Sequence, residues 1–380
     1  MKALISIILK GISDEFKEKD KLKVKGYLQL HGFVLFLIAC AFISSAFSTP
    51  KTPKGKLRGF PILGYSTETH LQMGGMLIYF LPTSNPDFRP PTIRTAGIAT
   101  LKGQYKADVF PKISFDKGQW IGESRLVARH WPANYYPPGN HSPDSAMSYV
   151  AKNSEFFISL ERKVGSSFFI GPRYRFKKEA IRSHIKKALL THGESGGNGF
   201  QSSGIALLLK YDNRDNTNAP LKGLLVQSEV EALPRFLGTD QYYSLFSISG
   251  AYYLPLKRKS VLATHLLLKL GFGEIPFREK QTPDGTNLLR GIEKGRYRDK
   301  HLLGAQVEYR FPLFWRLGMV VFVDIAQVNH DIKFSINDFK TSMGLGGRFA
   351  LSRPHRLNAR GDLAYVDGNP RISIYIKEAF

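Results

Sequence analysis

The sequence predicts an all-β fold, an antiparallel transmembrane β-barrel of about sixteen strands with one loop folded inward. Three observations carry that expectation. Short runs that alternate apolar and polar residues recur from Pro61 to the last residue, and period two is the signature of strands, whose successive side chains face opposite ways. An export-type segment precedes these runs. The last of them, Arg371–Phe380, closes on an aromatic residue, as outer-membrane strands tend to.

Composition narrows the classes. Mean hydropathy is −0.20 and hydrophobic content 43%, which excludes a bundle of apolar membrane helices. The 17 Tyr, 27 Phe and 35 Gly suit aromatic sheet faces joined by tight turns. A formal charge of +23 favours anionic partners such as outer-membrane phospholipid or lipopolysaccharide. The basic residues are dispersed, with no dense block and no nucleic-acid motif, so no nucleic-acid partner is expected. Cys40 is the single cysteine, which excludes an intramolecular disulfide and a cysteine-based zinc site.

In chain order, lysines 17, 19, 21, 23 and 25 precede the apolar run from Gly32 to Phe47, and Ala46-Phe47-Ser48 makes a small-residue exit. Residues 1–48 therefore read as a secretory signal peptide with a long basic start. Two rivals stay open: a lipoprotein signal, Leu37-Ile38-Ala39-Cys40, and a retained anchor, for which the run is short. Residues 49–58 read as a linker and 59–380 as the barrel. Pro61–Leu81 reads as strand, turn, strand, followed by strands at Ala96–Ala107, Lys112–Phe115 and Glu123–Ala128. The proline-rich Trp131–Asn140 reads as a loop or rim. Further strands are expected at Glu155–Arg162, Ser167–Phe176, Gly204–Tyr211, Gly223–Ala232, Tyr242–Leu254, Leu262–Phe272, Ala305–Phe311, Leu317–Ile325, Thr341–Leu351, His355–Val366 and Arg371–Phe380. A secreted β-sandwich would also bury one face of such strands. Export, the repeat length and the aromatic end favour the membrane barrel, which must close to satisfy its backbone in lipid.

Several side-chain groups carry chemistry. Arg290 lies in a basic loop beside two strands that each turn one acid, Glu308 and Asp324, to the less apolar face. A guanidinium bridging two carboxylates is the pairing this suggests; the alternative is a luminal charge ladder with Arg290 in solvent. Gly193-Glu194-Ser195-Gly196-Gly197 matches the Gly-x-Ser-x-Gly pattern, but a nucleophile elbow needs a helix next and Gly197-Asn198-Gly199 follows. A loop, not an enzyme, is expected, with Ser195 and His192 or His184 as the rival lipase reading. Arg173, Arg175, Lys177, Lys178, Arg182, Lys186 and Lys187 form the densest basic region. It reads as a solvated loop face, or else as a rim site for lipid phosphates. Asp212 and Asp215 suggest a turn cap over a calcium site, since further oxygen ligands are missing. No histidine pair has metal-site spacing, so neither metal nor cofactor is expected.

Four stretches resemble the Omp85 superfamily, the outer-membrane barrels also known as bacterial surface antigen (D15) domains. Leu289-Arg290-Gly291-Ile292 resembles the conserved loop signature, with Ile292 where an aromatic is usual. Gln306–Pro312 and Val323–Ala326 resemble the two following strands. Tyr211-Asp212-Asn213-Arg214-Asp215-Asn216 resembles the Asp-x-Arg-Asp turn, and Gly344–Phe380 the closing hairpin with its terminal Phe380. The resemblance implies that the loop carrying Arg290 and Gly291 folds into the lumen and meets Glu308 and Asp324. It also implies insertion or export of client proteins without ATP, here in a barrel-only member for which a POTRA-like partner protein would have to supply client capture. A passive or gated pore with the loop as plug is the alternative.

Overall fold

The computed structural model describes residues 55–66, 70–82, 91–101, 103–116, 118–143, 145–182, 193–353 and 356–380. The expected signal segment with Cys40, and His184, Lys186, Lys187 and His192, lie outside the described residues. Sixteen strands follow one another as a meander. They are β1 (Lys56–Ser66), β2 (His70–Phe80), β3 (Thr92–Thr100), β4 (Tyr105–Phe115), β5 (Trp120–Tyr135), β6 (Met147–Val164), β7 (Phe168–Arg182) and β8 (Gly199–Asp212). Then come β9 (Gly223–Leu233), β10 (Tyr243–Pro255), β11 (Val261–Gly273), β12 (His301–Pro312), β13 (Leu317–Asn329), β14 (Lys340–Ser352), β15 (Leu357–Val366) and β16 (Asn369–Ile376). Every consecutive pair is antiparallel and hydrogen-bonded in the order β1 to β16. Among the described residues no ladder joins β1 to β16.

Alternation sorts the side chains as a membrane barrel requires. On β16 the outward Ile372 and Ile374 are 79% and 78% exposed. Val307, Tyr309, Val321, Val323, Met343, Leu345 and Leu363 form the outward belt across β12–β15. Their neighbours in sequence, Glu308, Asp324, Ser342 and Asp362, are buried on the inner face. Apolar outside and charged inside is the inverse of a soluble sandwich, and lipid is the solvent that favours it.

Four expectations shift. Ala96–Ala107 is not one strand: β3 ends at Thr100 and β4 begins at Tyr105. Trp131–Tyr135 is strand, not loop, and pairs with Met147–Ala151 of β6. There β5 has run past its last partner on β4, at Tyr105↔His130; a strand with a free edge is where Pro132 is tolerated. The barrel begins at Lys56, inside the expected linker. At the far end β16 stops at Ile376, and Lys377, at φ 83°, turns the chain off the strand.

With an even number of strands, the first strand's start and the last strand's end share one mouth of the barrel. The connections 234–242, 274–300 and 330–339 open at the other mouth. Among them 274–300 matters most, because three of the buried apolar clusters include its residues.

Candidate functional site, a luminal latch

The loop 274–300 enters the lumen and is fastened twice. Its first anchor follows directly on β11. Phe277 is fully buried against Tyr135, Tyr149 and Ile181 on the inner faces of β5, β6 and β7. Arg278 pairs with Glu179 at 2.8 Å and donates to the Tyr149 hydroxyl. Glu279 accepts from Arg175 at 2.6 Å and from Lys177. Lys280 reaches Glu194 at 2.5 Å. Burial alone would raise the Glu279 carboxyl, but the cations Arg175 and Lys177 outweigh it and hold its pKa at about 2.

The second anchor is the predicted one. Leu289 and Gly291, at φ 56° and 86°, bracket Arg290 in left-handed backbone. Such a conformation is strained for leucine and is held here because Leu289 is packed with Leu288, Leu302, Val328 and Val366. Ile292, the residue in place of an aromatic, joins the same cluster. A Cβ on Gly291 would stand 2.9 Å from Cβ of Arg371 and 3.2 Å from Cβ of Ala364. The glycine lets the loop touch β15 and β16.

Arg290 is completely buried, and its backbone amide and all three guanidinium nitrogens donate hydrogen bonds. Its backbone N–H donates to Asp324 Oδ2 at 3.0 Å, Nε to the same oxygen at 2.8 Å, and Nη2 to Oδ1 at 2.6 Å. Nη1 donates to Glu308 Oε1 at 2.5 Å and lies 3.8 Å from Asp362 Oδ2. The guanidinium sits 3.4 Å from the centre of the Phe322 ring, and Ser342 donates to the Arg290 carbonyl at 2.6 Å. The alternative of Arg290 in solvent is thereby overturned. Three further arginines enter the cluster: Arg310 on Glu308, and Arg348 and Arg360 on Asp362. With Glu378 on Arg348, four guanidiniums face four carboxylates. A buried ionic cluster survives only when its charges nearly cancel, because an uncompensated charge there costs several kcal/mol.

Sequence reading found Arg290, Gly291, Glu308 and Asp324, and missed Asp362, Phe322 and Ser342. Asp362 is detectable as a lone acid alternating with the outward Leu363 and Tyr365. The basic region on β7 was misplaced. Arg173, Arg175 and Lys177 occupy alternate positions facing the lumen, where they pair with Glu229, Glu231 and Glu279. Arg175 and Lys177 form part of the first anchor, and Arg173 stays with the wall acids Glu229 and Glu231; none of the three lies in a solvated loop or a lipid-phosphate rim.

The remaining candidates stand apart from the latch. Asp212 accepts from Arg214 at 2.8 Å through both oxygens. Asp215 caps the Leu221 and Lys222 amides and pairs with Arg356 of the β14–β15 turn at 2.5 Å. Both acids are thus occupied in turn capping and in a bond across the barrel mouth. Ser195 donates to the Ile275 carbonyl and accepts from the Phe277 amide, and a strand, β8, follows. Its glycine-rich motif serves to seat the loop. Phe380 is half-buried inside the mouth, stacked on His265 at 5.1 Å and under Arg310, rather than on the lipid face of the last strand.

This geometry, a sixteen-stranded barrel with a luminal loop fastened by one buried arginine, defines a class of outer-membrane-type barrels. The Omp85 superfamily domain matches residues 112–366, and the chain belongs to that superfamily. Omp85 barrels reside in outer membranes, which is the membrane this belt of apolar side chains faces. Similar solved structures include BamA from Haemophilus ducreyi lacking POTRA domains 1–3, at TM-score 0.59 and 12% identity, covering 87% of this chain and 71% of that one. CdiB from Escherichia coli gives 0.57 and 11%, covering 87% and 63%, and CdiB from Acinetobacter baumannii gives 0.52 and 10%, covering 85% and 59%. The chain thus spans less than two thirds of either CdiB chain. Among curated proteins none is similar in sequence.

Proposed function

We propose that this barrel inserts or translocates client proteins, without nucleotide, through a lateral seam between β1 and β16, after signal-dependent export of the chain itself. One observation carries the reading. Among the described residues fifteen adjacent strand pairs are laddered, while no ladder joins the edges of β1 and β16. An unpaired edge offers a row of N–H and C=O groups on which a client strand can pair. β16, at 8 residues, is also the shortest strand, so its edge has the fewest bonds to give up. The latch residues Arg290, Gly291, Glu308 and Asp324 hold the loop that fills the lumen behind this seam. Outer-membrane lipid surrounds the barrel, and client capture falls to a soluble POTRA-like module or partner.

The test is the folding rate of an unfolded outer-membrane barrel into vesicles that contain this protein. Bridging Ile62→Cys to Ile374→Cys with a short bis-maleimide should abolish any acceleration. Undiminished acceleration with the seam bridged would sink the proposal.

The second reading, a gated pore, is favoured by the two anchors that plug the lumen with loop 274–300. Large, steady conductance in planar bilayers on Arg290→Ala, without client insertion, would select it.

A further inference from the structure

The same latch touches the end of the seam strand. Two chains of ion pairs leave Arg290 and converge on residues 378–380, just past β16. In one, Glu308 takes Arg290 on Oε1 and Arg310 Nε on Oε2 at 2.6 Å. Arg310 then donates to the Phe380 carbonyl at 3.4 Å and lies 5.1 Å from its ring centre. In the other, Asp362 faces Arg290 with Oδ2 and accepts from Arg348 on Oδ1 at 2.7 Å. Arg348 in turn binds Glu378 at 2.7 Å. Arg310 and Arg348 are each shared between a latch carboxylate and this segment.

We infer that Arg310 and Arg348 are positioning residues that couple the luminal loop to the end of β16, so that release of the latch loosens the strand end at the seam. The inference deepens the seam reading and rests on it for its functional meaning. The physical reason is charge balance. Withdrawing Arg290 leaves Glu308, Asp324 and Asp362 short of one cation. Arg360, 3.4 Å from Asp362, answers part of that deficit; Arg310 and Arg348, already on Glu308 and Asp362, are drawn toward the rest, and each step toward the latch weakens the hold on Phe380 or Glu378. His265, Tyr253 and Asn358 also contact the segment, so it is released gradually rather than thrown free. The left-handed Lys377, whose amide still bonds the Asn358 carbonyl at 2.8 Å, is the hinge between strand and segment.

Hydrogen exchange followed by mass spectrometry, on the full chain in phospholipid vesicles, reads the coupling directly. Arg290→Ala should speed exchange of amides 378–380 at least about fivefold, the low end of ordinary coupling between sites, alongside faster exchange at 285–300. Acceleration of 285–300 with 378–380 unchanged would overturn the inference. Should Arg290→Ala not fold, the Arg310→Gln, Arg348→Gln pair serves, because coupling is reciprocal. That pair should loosen 378–380 and, by a smaller factor, 285–300. A loosened segment beside an unaltered loop would overturn the inference equally. A seam that does not open leaves these exchange rates standing and abolishes only client insertion.

Discussion

The two anchors of loop 274–300 fasten one segment in opposite ways. At the first, Phe277 fills an apolar site while Arg278, Glu279 and Lys280 each hold their own partner. Loss of one contact leaves the others in place. At the second, Arg290 reaches three carboxylates through strained backbone, two of them also held by Arg310, Arg348 and Arg360, and a glycine admits the approach. Every part there depends on every other. Distributed contacts make a hinge root, whereas a concentrated ionic cluster makes a catch that is either closed or open.

That contrast can be broken in a graded way. Arg290→Ala should be the most damaging change, costing roughly 3–5 kcal/mol because three buried carboxylates lose their shared cation. Urea unfolding of the reconstituted barrel, with limited proteolysis of the loop, measures it; a wild-type midpoint would contradict the catch. Gly291→Ala should cost about 1–3 kcal/mol from left-handed backbone alone, with crowding against Ala364 and Arg371 in addition, and should leave the first anchor protected from proteolysis. Glu279→Gln should cost only about 1.5 kcal/mol, since Arg175 keeps Glu231 and Lys177 keeps Glu179. An equal loss in Glu279→Gln and Arg290→Ala would erase the difference between the anchors.

The mildest probe is acid. The Glu279 carboxyl is depressed from 4.5 to about 2, so its stabilising share is complete above the unfolded value and fades as pH falls toward the folded one. Protection of the 277–280 amides, taken relative to their intrinsic exchange rate at each pH, should therefore be flat above pH 5 and fall only as pH drops below about 4. A loss of protection centred near neutrality would assign the anchor to some other group.

Much of this was legible because a barrel writes its fold at period two. Glu308 and Asp324 could be placed on the inner face from Val307, Tyr309, Val323 and Ile325 alone. The same reading applied to Arg173, Arg175 and Lys177 would have turned them inward, but their density suggested a surface. Asp362 and Ser342 escaped because their partner lies 72 and 52 residues away in sequence, and only closure of the β12–β15 wall brings them to Arg290. The segment after Ile376 was hard to read for a simpler reason: Glu378 breaks the apolar row Ile372, Ile374 and Ile376, but Phe380 resumes its register, and nothing local marks Lys377 as the point of departure.

Strand length carries a consequence for the surrounding bilayer. β5, β6 and β7 have 16, 18 and 15 residues, whereas β1 has 11 and β16 only 8. At about 3.3 Å per residue and a tilt near 40°, β16 stands roughly 20 Å tall, short of the apolar band of about 25 Å. Lipid beside β16 must thin to meet it, at a cost of a fraction of a kcal/mol per ångström of mismatch. The wall thus tapers toward its own edge, and the membrane is shallowest where a new strand would have to enter it.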